Sequence, residues 1–175
     1  MFTIKKMLAK IKSGLIKKDF IDNIKPVGVF TAEEYIGEDL IDSYTEKNLI
    51  LNGAFDIVSS LLISGDADKV LEGIAIGDQG IVDSVTLNPY VTDTTLRNEV
   101  FRKIFTSTPT VSNITKTISF QMVVDETEAN GSGSQIINEA ATYSVDGTLF
   151  SRKVFREFVK TPENRLVFTW TYTWA

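Results

Sequence analysis

The chain has no cysteine and no histidine. Without cysteine there is no disulfide framework, no thiol nucleophile and no thiolate metal site. Without histidine the usual general base, the commonest metal ligand and the Ser-His-Asp arrangement are gone. Carboxylate or lysine chemistry stays possible, but without the residue used most often for proton transfer. Long apolar runs are missing too: none approaches the roughly 18 residues that span a bilayer. The N-terminus is not a signal peptide, because lysines interrupt its apolar residues and no small-residue cleavage site follows. Asp78–Pro89 holds glycines and turn residues but neither Gly-Lys-Ser/Thr nor a following helix pattern, so a phosphate loop is not expected. Asp125, Glu126, Glu128 and Asn130 hint at calcium, but Thr127 and Ala129 break the alternating-oxygen pattern of a calcium loop. Asp66-Ala-Asp68 and Glu33-Glu34 are paired carboxylates that nothing places in a cleft. The expectation is no catalytic residue, no cofactor and no metal: not an enzyme.

What is present suits a single domain: 175 residues, 43% hydrophobic and 23% charged. The net charge of −5 conceals an asymmetry. Residues 1–20 hold Lys5, Lys6, Lys10, Lys12, Lys17 and Lys18 against Asp19 alone, which leaves a basic arm on an acidic body. Phe2, Ile4, Met7, Leu8, Ile11, Leu15 and Ile16 recur at helical spacing between those lysines. Residues 1–22 are therefore expected to be an amphipathic helical arm. It packs on its own domain, docks on a partner or lies on a membrane surface.

Residues 23–175 read as one β-rich domain. The last strand, Arg165–Trp174, places Leu166, Phe168, Trp170, Tyr172 and Trp174 on one side and threonines on the other. Gln135–Ser144 and Thr148–Val159 are strands joined at Val145-Asp146-Gly147, where Asp-Gly predicts a type I′ turn. With the final strand they would form an antiparallel meander. Pro26–Phe30, Leu71–Gly77, Asn98–Thr106 and Asn113–Asp125 are further strands. Glu126–Ser134 is a flexible connection. Glu33, Glu34, Glu38, Asp39 and Asp42 form an acidic run of the kind usually found on a solvated loop or helix face. Glu46–Ile63 carries the best helical stripe. The expected fold is mainly β: an antiparallel, jelly-roll-like β-sandwich with one packed helix over 46–63.

Several ordered motifs carry a resemblance over residues 46–174: Lys47–Gly53 running into Leu61-Leu62, Gly73-Ile-Ala-Ile-Gly-Asp78, Thr95-Leu96, Glu99, Arg102, Ile137-Asn-Glu139-Ala-Ala141, Leu149-Phe-Ser-Arg152 and Leu166–Trp170. In this order they resemble small tailed-bacteriophage virion proteins of the tail, fibre and collar or neck type. Ala140 departs from that pattern, which often has glycine there. The resemblance implies a non-enzymatic structural subunit of the virion, assembled in the host bacterial cytoplasm. It implies homo-oligomers that dock on other phage virion proteins, without nucleic acid or membrane. The arm lysines would form the docking element. Glu99, Arg102, Glu139 and Arg152 would form structural ion pairs or remain separate solvated charges. The alternative is a carbohydrate- or receptor-binding β-sandwich module at a fibre tip, with Trp170, Tyr172 and Trp174 stacking on sugars.

Overall fold

The structure is a computed structural model and describes residues 26–174. The arm and its six lysines lie outside the described residues. Among the described residues eleven strands and one α-helix follow in chain order. They are β1 (Val27–Ile36), β2 (Asp39–Ile50), α1 (Gly53–Ser64), β3 (Leu71–Gly77), β4 (Ile81–Val82), β5 (Val85–Thr86) and β6 (Glu99–Ile104). After these come β7 (Thr110–Ser112), β8 (Thr117–Val124), β9 (Gln135–Ser144), β10 (Leu149–Lys160) and β11 (Arg165–Thr173). The fold is mainly β and antiparallel, as the alternating sequence patterns require.

Nine strands form one sheet in the order β6-β3-β9-β10-β2-β1-β11-β8-β7. Its middle join is thin: β2 meets β10 only at Ile50↔Ser151 and Leu49↔Arg152. The sheet curls until its far sides touch. Just past β6, Thr106 donates its backbone N–H to the Gln121 carbonyl of β8 at 2.9 Å, and Lys103 Nζ reaches the Val123 carbonyl at 3.1 Å.

The core fills the inside of that curl. From one half come Phe30, Ala32, Phe120, Met122, Val124, Leu166, Phe168, Trp170 and Tyr172. From the other come Ile74, Ile76, Ile137, Ala140, Phe150, Phe155 and Phe158. Trp170 lies against Phe30 at a ring separation of 4.5 Å, and Tyr172 meets Phe150 edge-on at 4.8 Å. Burying such aromatics contributes roughly 1.5–3 kcal/mol each. The Tyr172 hydroxyl is satisfied inside the core by Thr142 and Ser151, each at 2.6 Å. Burial also raises the phenol's pKa, so it stays protonated. The opposite face of β11 carries the polar partners: Thr171 bonds Ser119 and Thr169 bonds Gln121.

Several local expectations change. The helix starts at Gly53, because Glu46–Ile50 continue β2 and Glu46, Lys47 and Asn48 face Phe30, Val29 and Gly28 of β1. Strand pairing there outweighs the helical spacing of the side chains. The acidic run occupies the β1–β2 hairpin instead of a loop or helix face. β11 leaves the expected meander. It pairs with β1 and β8, and not with β10. The 78–89 loop holds a two-residue hairpin in which Asp83 and Ser84 both take positive φ, with Val82 paired to Val85. The Asp146-Gly147 hairpin forms, but only Gly147 has positive φ, at 83°. Ser144 and Thr148 bracket a three-residue loop, closed by Gly147 N–H to the Ser144 carbonyl and Ser144 N–H to the Thr148 carbonyl. This is a type I turn followed by a glycine bulge.

Candidate functional site

The outer face of β3, β9 and β10 is covered by the long segment between β5 and β6. This is where the singled-out charges meet. β9 is buried without interruption from Ile137 to Ser144, so its outward side chains need partners. Leu51, Ala75, Leu96, Ala141, Tyr143 and Leu149 form a second, smaller apolar cluster under the segment. Beside them lies Glu139, which is fully buried with its carboxylate facing the same segment.

The Glu139 carboxylate is fully engaged. Its Oε1 accepts the backbone N–H groups of Arg97 and Asn98, each at 3.0 Å. Its Oε2 accepts from Arg152, whose side chain is 1% exposed. A second branch of the Arg152 guanidinium donates to Asp93 Oδ2. The same Asp93 oxygen accepts the Tyr90 N–H at 2.9 Å. One guanidinium and two carboxylates thus pin the covering segment at Tyr90–Asp93 and at Arg97–Asn98. An isolated ion at this depth would cost several kcal/mol; paired and hydrogen-bonded, it is tolerated.

Glycines make room for this cluster. A Cβ on Gly77 would sit 2.4 Å from the Asn98 carbonyl oxygen and 2.6 Å from Glu139 Oε1. One on Gly80 would sit 2.7 Å from the Asn138 carbonyl oxygen and 2.9 Å from the Glu139 Cβ. The Gly80 N–H also donates to Asn138 Oδ1 at 2.8 Å. The motifs Gly73–Asp78, Ile137–Ala141 and Leu149–Arg152 are therefore one spatial unit. Asp78 joins its rim by accepting from Asn98 Nδ2 at 2.7 Å and Gln135 Nε2 at 3.0 Å. Ala140, where the resembled pattern has glycine, points its methyl into the main core and is fully buried.

A cleft of about 450 Å³ opens beside the cluster, lined by Gln79, Thr92, Asp93, Thr95, Arg97 and Arg152 among others. Its charged floor is already compensated, since the Arg152 guanidinium is shared by two carboxylates. Asp93 carried no signal in the sequence beyond its place in a Thr-Asp-Thr loop.

The remaining predicted residues lie apart from this cluster. Glu99 and Arg102 pair with each other on β6, with Nε to Oε1 at 2.6 Å. The Arg102 guanidinium also covers the Tyr143 ring at 4.7 Å. The pair is largely solvated, so its contribution is within about 1 kcal/mol. Asp125 and Glu128 sit in the 125–134 turn and accept from Lys103. Asn130 accepts from Lys160 Nζ at 2.9 Å. Lys160 is fully buried, and burial lowers its pKa. Among the described residues there is no cluster of acidic side chains spaced to hold a metal, and no helix is long and apolar enough to cross a membrane. Trp170 and Tyr172 lie inside the core and Trp174 is half-buried, so the aromatic ladder offers no open platform for a sugar. No family model, no curated protein and no solved structure matches the chain.

Proposed function

We propose that this chain is a non-enzymatic structural subunit of a tailed-bacteriophage virion, a tail, neck/collar or fibre component, that homo-oligomerises and docks on other virion proteins. The observation that carries the reading is the use made of the resembling motifs. Two of their charged residues, Glu139 and Arg152, meet Asp93 in a clamp where each charge is spent on holding a covering segment and none on a reacting group. The surface supports the same reading. Phe55, Leu62 and Ile63 stand 57%, 78% and 49% exposed on α1, and apolar side chains grouped this way mark contact sites. The two halves of the curled sheet are read as the leaves of a jelly-roll-like sandwich, a rigid scaffold suited to repeated assembly. The fibre-tip sugar-binding reading loses its carriers with Trp170 and Tyr172 in the core. Light scattering after size exclusion, with electron microscopy of the peak, tests the proposal on the full chain. A discrete oligomer with ring or spike outlines is expected; a strict monomer at every concentration would overturn it.

A further inference from the structure

The β1–β2 hairpin leaves a backbone edge and several apolar side chains uncovered. Around its turn Ile36, Leu40 and Ile41 are 50%, 52% and 54% exposed. The outer backbone edge of β2 has no strand partner from Asp39 to Asn48 among the described residues, because β10 joins it only at Leu49 and Ile50. An open edge of this length, with Leu40 and Ile41 exposed at its start, invites a partner.

The charges on the hairpin say which partner. It carries Glu33, Glu34, Glu38, Asp39, Asp42 and Glu46, and its one base is Lys47 at the root. Some acids are used internally. Asp42 pairs with Arg156, Glu46 pairs with Lys153, and Glu34 accepts from Asn164. Glu33 and Asp39 have no ion-pair partner among the described residues, and Arg165 approaches Glu38 only to 3.7 Å. Edge-to-edge pairing with the β2 of a second copy would bring these acids together, and like charges across strands oppose it. The surface calls for a ligand with apolar side chains interleaved with positive charge. Residues 1–20 are that ligand: net +5, with Phe2, Ile4, Met7, Leu8, Ile11, Leu15 and Ile16 among the lysines.

The geometry favours the arm of another copy. The arm joins the body at Val27, opposite Thr173, while the turn lies at the other end of β1. Ten residues of strand put the turn about 30 Å from that root. The predicted helix over 1–19 would be about 28 Å long. To reach its own hairpin turn it would have to fold back along the whole of β1, past the outward side chains of Val29, Thr31, Glu33 and Tyr35. A neighbour's arm has no such constraint.

We propose that the basic, apolar segment Met1–Asp19 of one copy docks on the acidic β1–β2 hairpin of the next, making a head-to-tail contact that closes into a ring when the rotation permits. This rests on the reading of the chain as a self-assembling subunit. Two full-length variants test it: K5E/K6E/K12E on the arm and E33K/E38K/D39K on the hairpin, where Glu38 and Asp39 are exposed and Glu33 is half-buried on the outward face of β1. Light scattering is expected to give an oligomer for the parent chain, a monomer for each variant, and restored assembly when the two variants are mixed, because each reversed arm then meets a reversed hairpin. Either variant assembling like the parent would overturn the docking site while leaving self-assembly standing. A mixture that stays monomeric would overturn the pairing of these two surfaces. A monomeric parent would remove the self-assembly reading and this proposal with it. Carbodiimide cross-linking of mixed heavy- and light-isotope parent chains needs no variant. Lysines of residues 1–18 should link to Glu33, Glu38 or Asp39 in peptides of mixed label, and links of uniform label alone would place the arm on its own hairpin.

Discussion

At the residue scale the Glu139–Arg152 pair shows what a sequence can and cannot disclose. Both residues stand out as charges embedded in apolar strands. Their burial makes them interdependent: without Arg152 the Glu139 carboxylate loses its ion-pair partner, and without Glu139 the buried Arg152 guanidinium keeps only Asp93. We expect Arg152→Met to destabilise the fold by about 3–5 kcal/mol, the usual cost of breaking a buried ion pair from one side. Glu139→Gln keeps an acceptor for the Arg97 and Asn98 N–H groups and should cost less. The double variant should cost less than the two singles added, because the second change no longer strands a charge. Urea titration of the four proteins reads the coupling, and strict additivity would mean that the two side chains act independently. Gly77→Ala tests the same site sterically. Its new methyl would meet backbone at 2.4 Å, so a loss of about 1–3 kcal/mol is expected from overpacking. The third member of the cluster was not legible. Asp93 lies in a loop with no period to say which way it points, and it gains meaning only when the segment folds over β10.

At the element scale the β9–β10 hairpin was legible in position but not in type. Asp-Gly marks the turn either way, since Gly147 alone can take positive φ cheaply. A third loop residue, Val145, then favours the bulged form. The reason is tertiary: the Val145 and Asp146 N–H groups are drawn to the Val70 and Asp68 carbonyls of the segment after α1. Asp146 holds that junction together. Lys69 beside it, together with Ser144 and Thr148, holds its carboxyl well below the usual carboxylate range. A carboxyl whose pKa is lower in the folded chain adds stability that is complete above its unfolded value of about 3.9. That stability is lost as the pH falls through the folded value. Asp42 and Glu46 are also held low, so the parent chain has several sources of acid sensitivity. Comparison with Asp146→Asn isolates one of them. Melting temperatures of the two proteins should differ by a constant amount from pH 7 to about pH 5, and the gap should narrow below about pH 4. A gap that persists unchanged to the lowest pH would mean that the ionised carboxylate is not what ties the turn down. The helix boundary failed for a related reason. Leu49 and Ile50 suit either period, and pairing of residues 46–48 with β1 and of 49–50 with β10 decides for the strand only in the folded sheet.

At the scale of the whole molecule the unforeseen feature is closure. Period-two patterns reveal strands and their inward faces, but they do not say which strands end up side by side. β6 and β8 are the case in point, since nothing in either sequence predicts that Thr106 would lie on Gln121. The join is narrow. Besides that backbone bond it includes the Val123 N–H to Thr106 Oγ1 at 3.1 Å, the Thr106 hydroxyl to the Gln121 carbonyl, Lys103 to the Val123 carbonyl, Asp125 and Glu128, and the Phe105–Phe120 ring contact at 4.7 Å. Only the last is apolar, and Phe105 is half-buried, so the apolar gain from closing the seam is far smaller than from the core itself. Phe105→Ala should therefore cost about 2 kcal/mol, less than the 3–5 of a fully buried phenylalanine. Its effect should also be local. The amides of Thr106 and Val123 should exchange with solvent markedly faster, while those of Ile74 and Ile76, on the strand next to β6, should keep their protection. If protection were lost evenly across the sheet, the seam would be part of the global folding unit, and the curl would be held from its edges as much as from its aromatic interior.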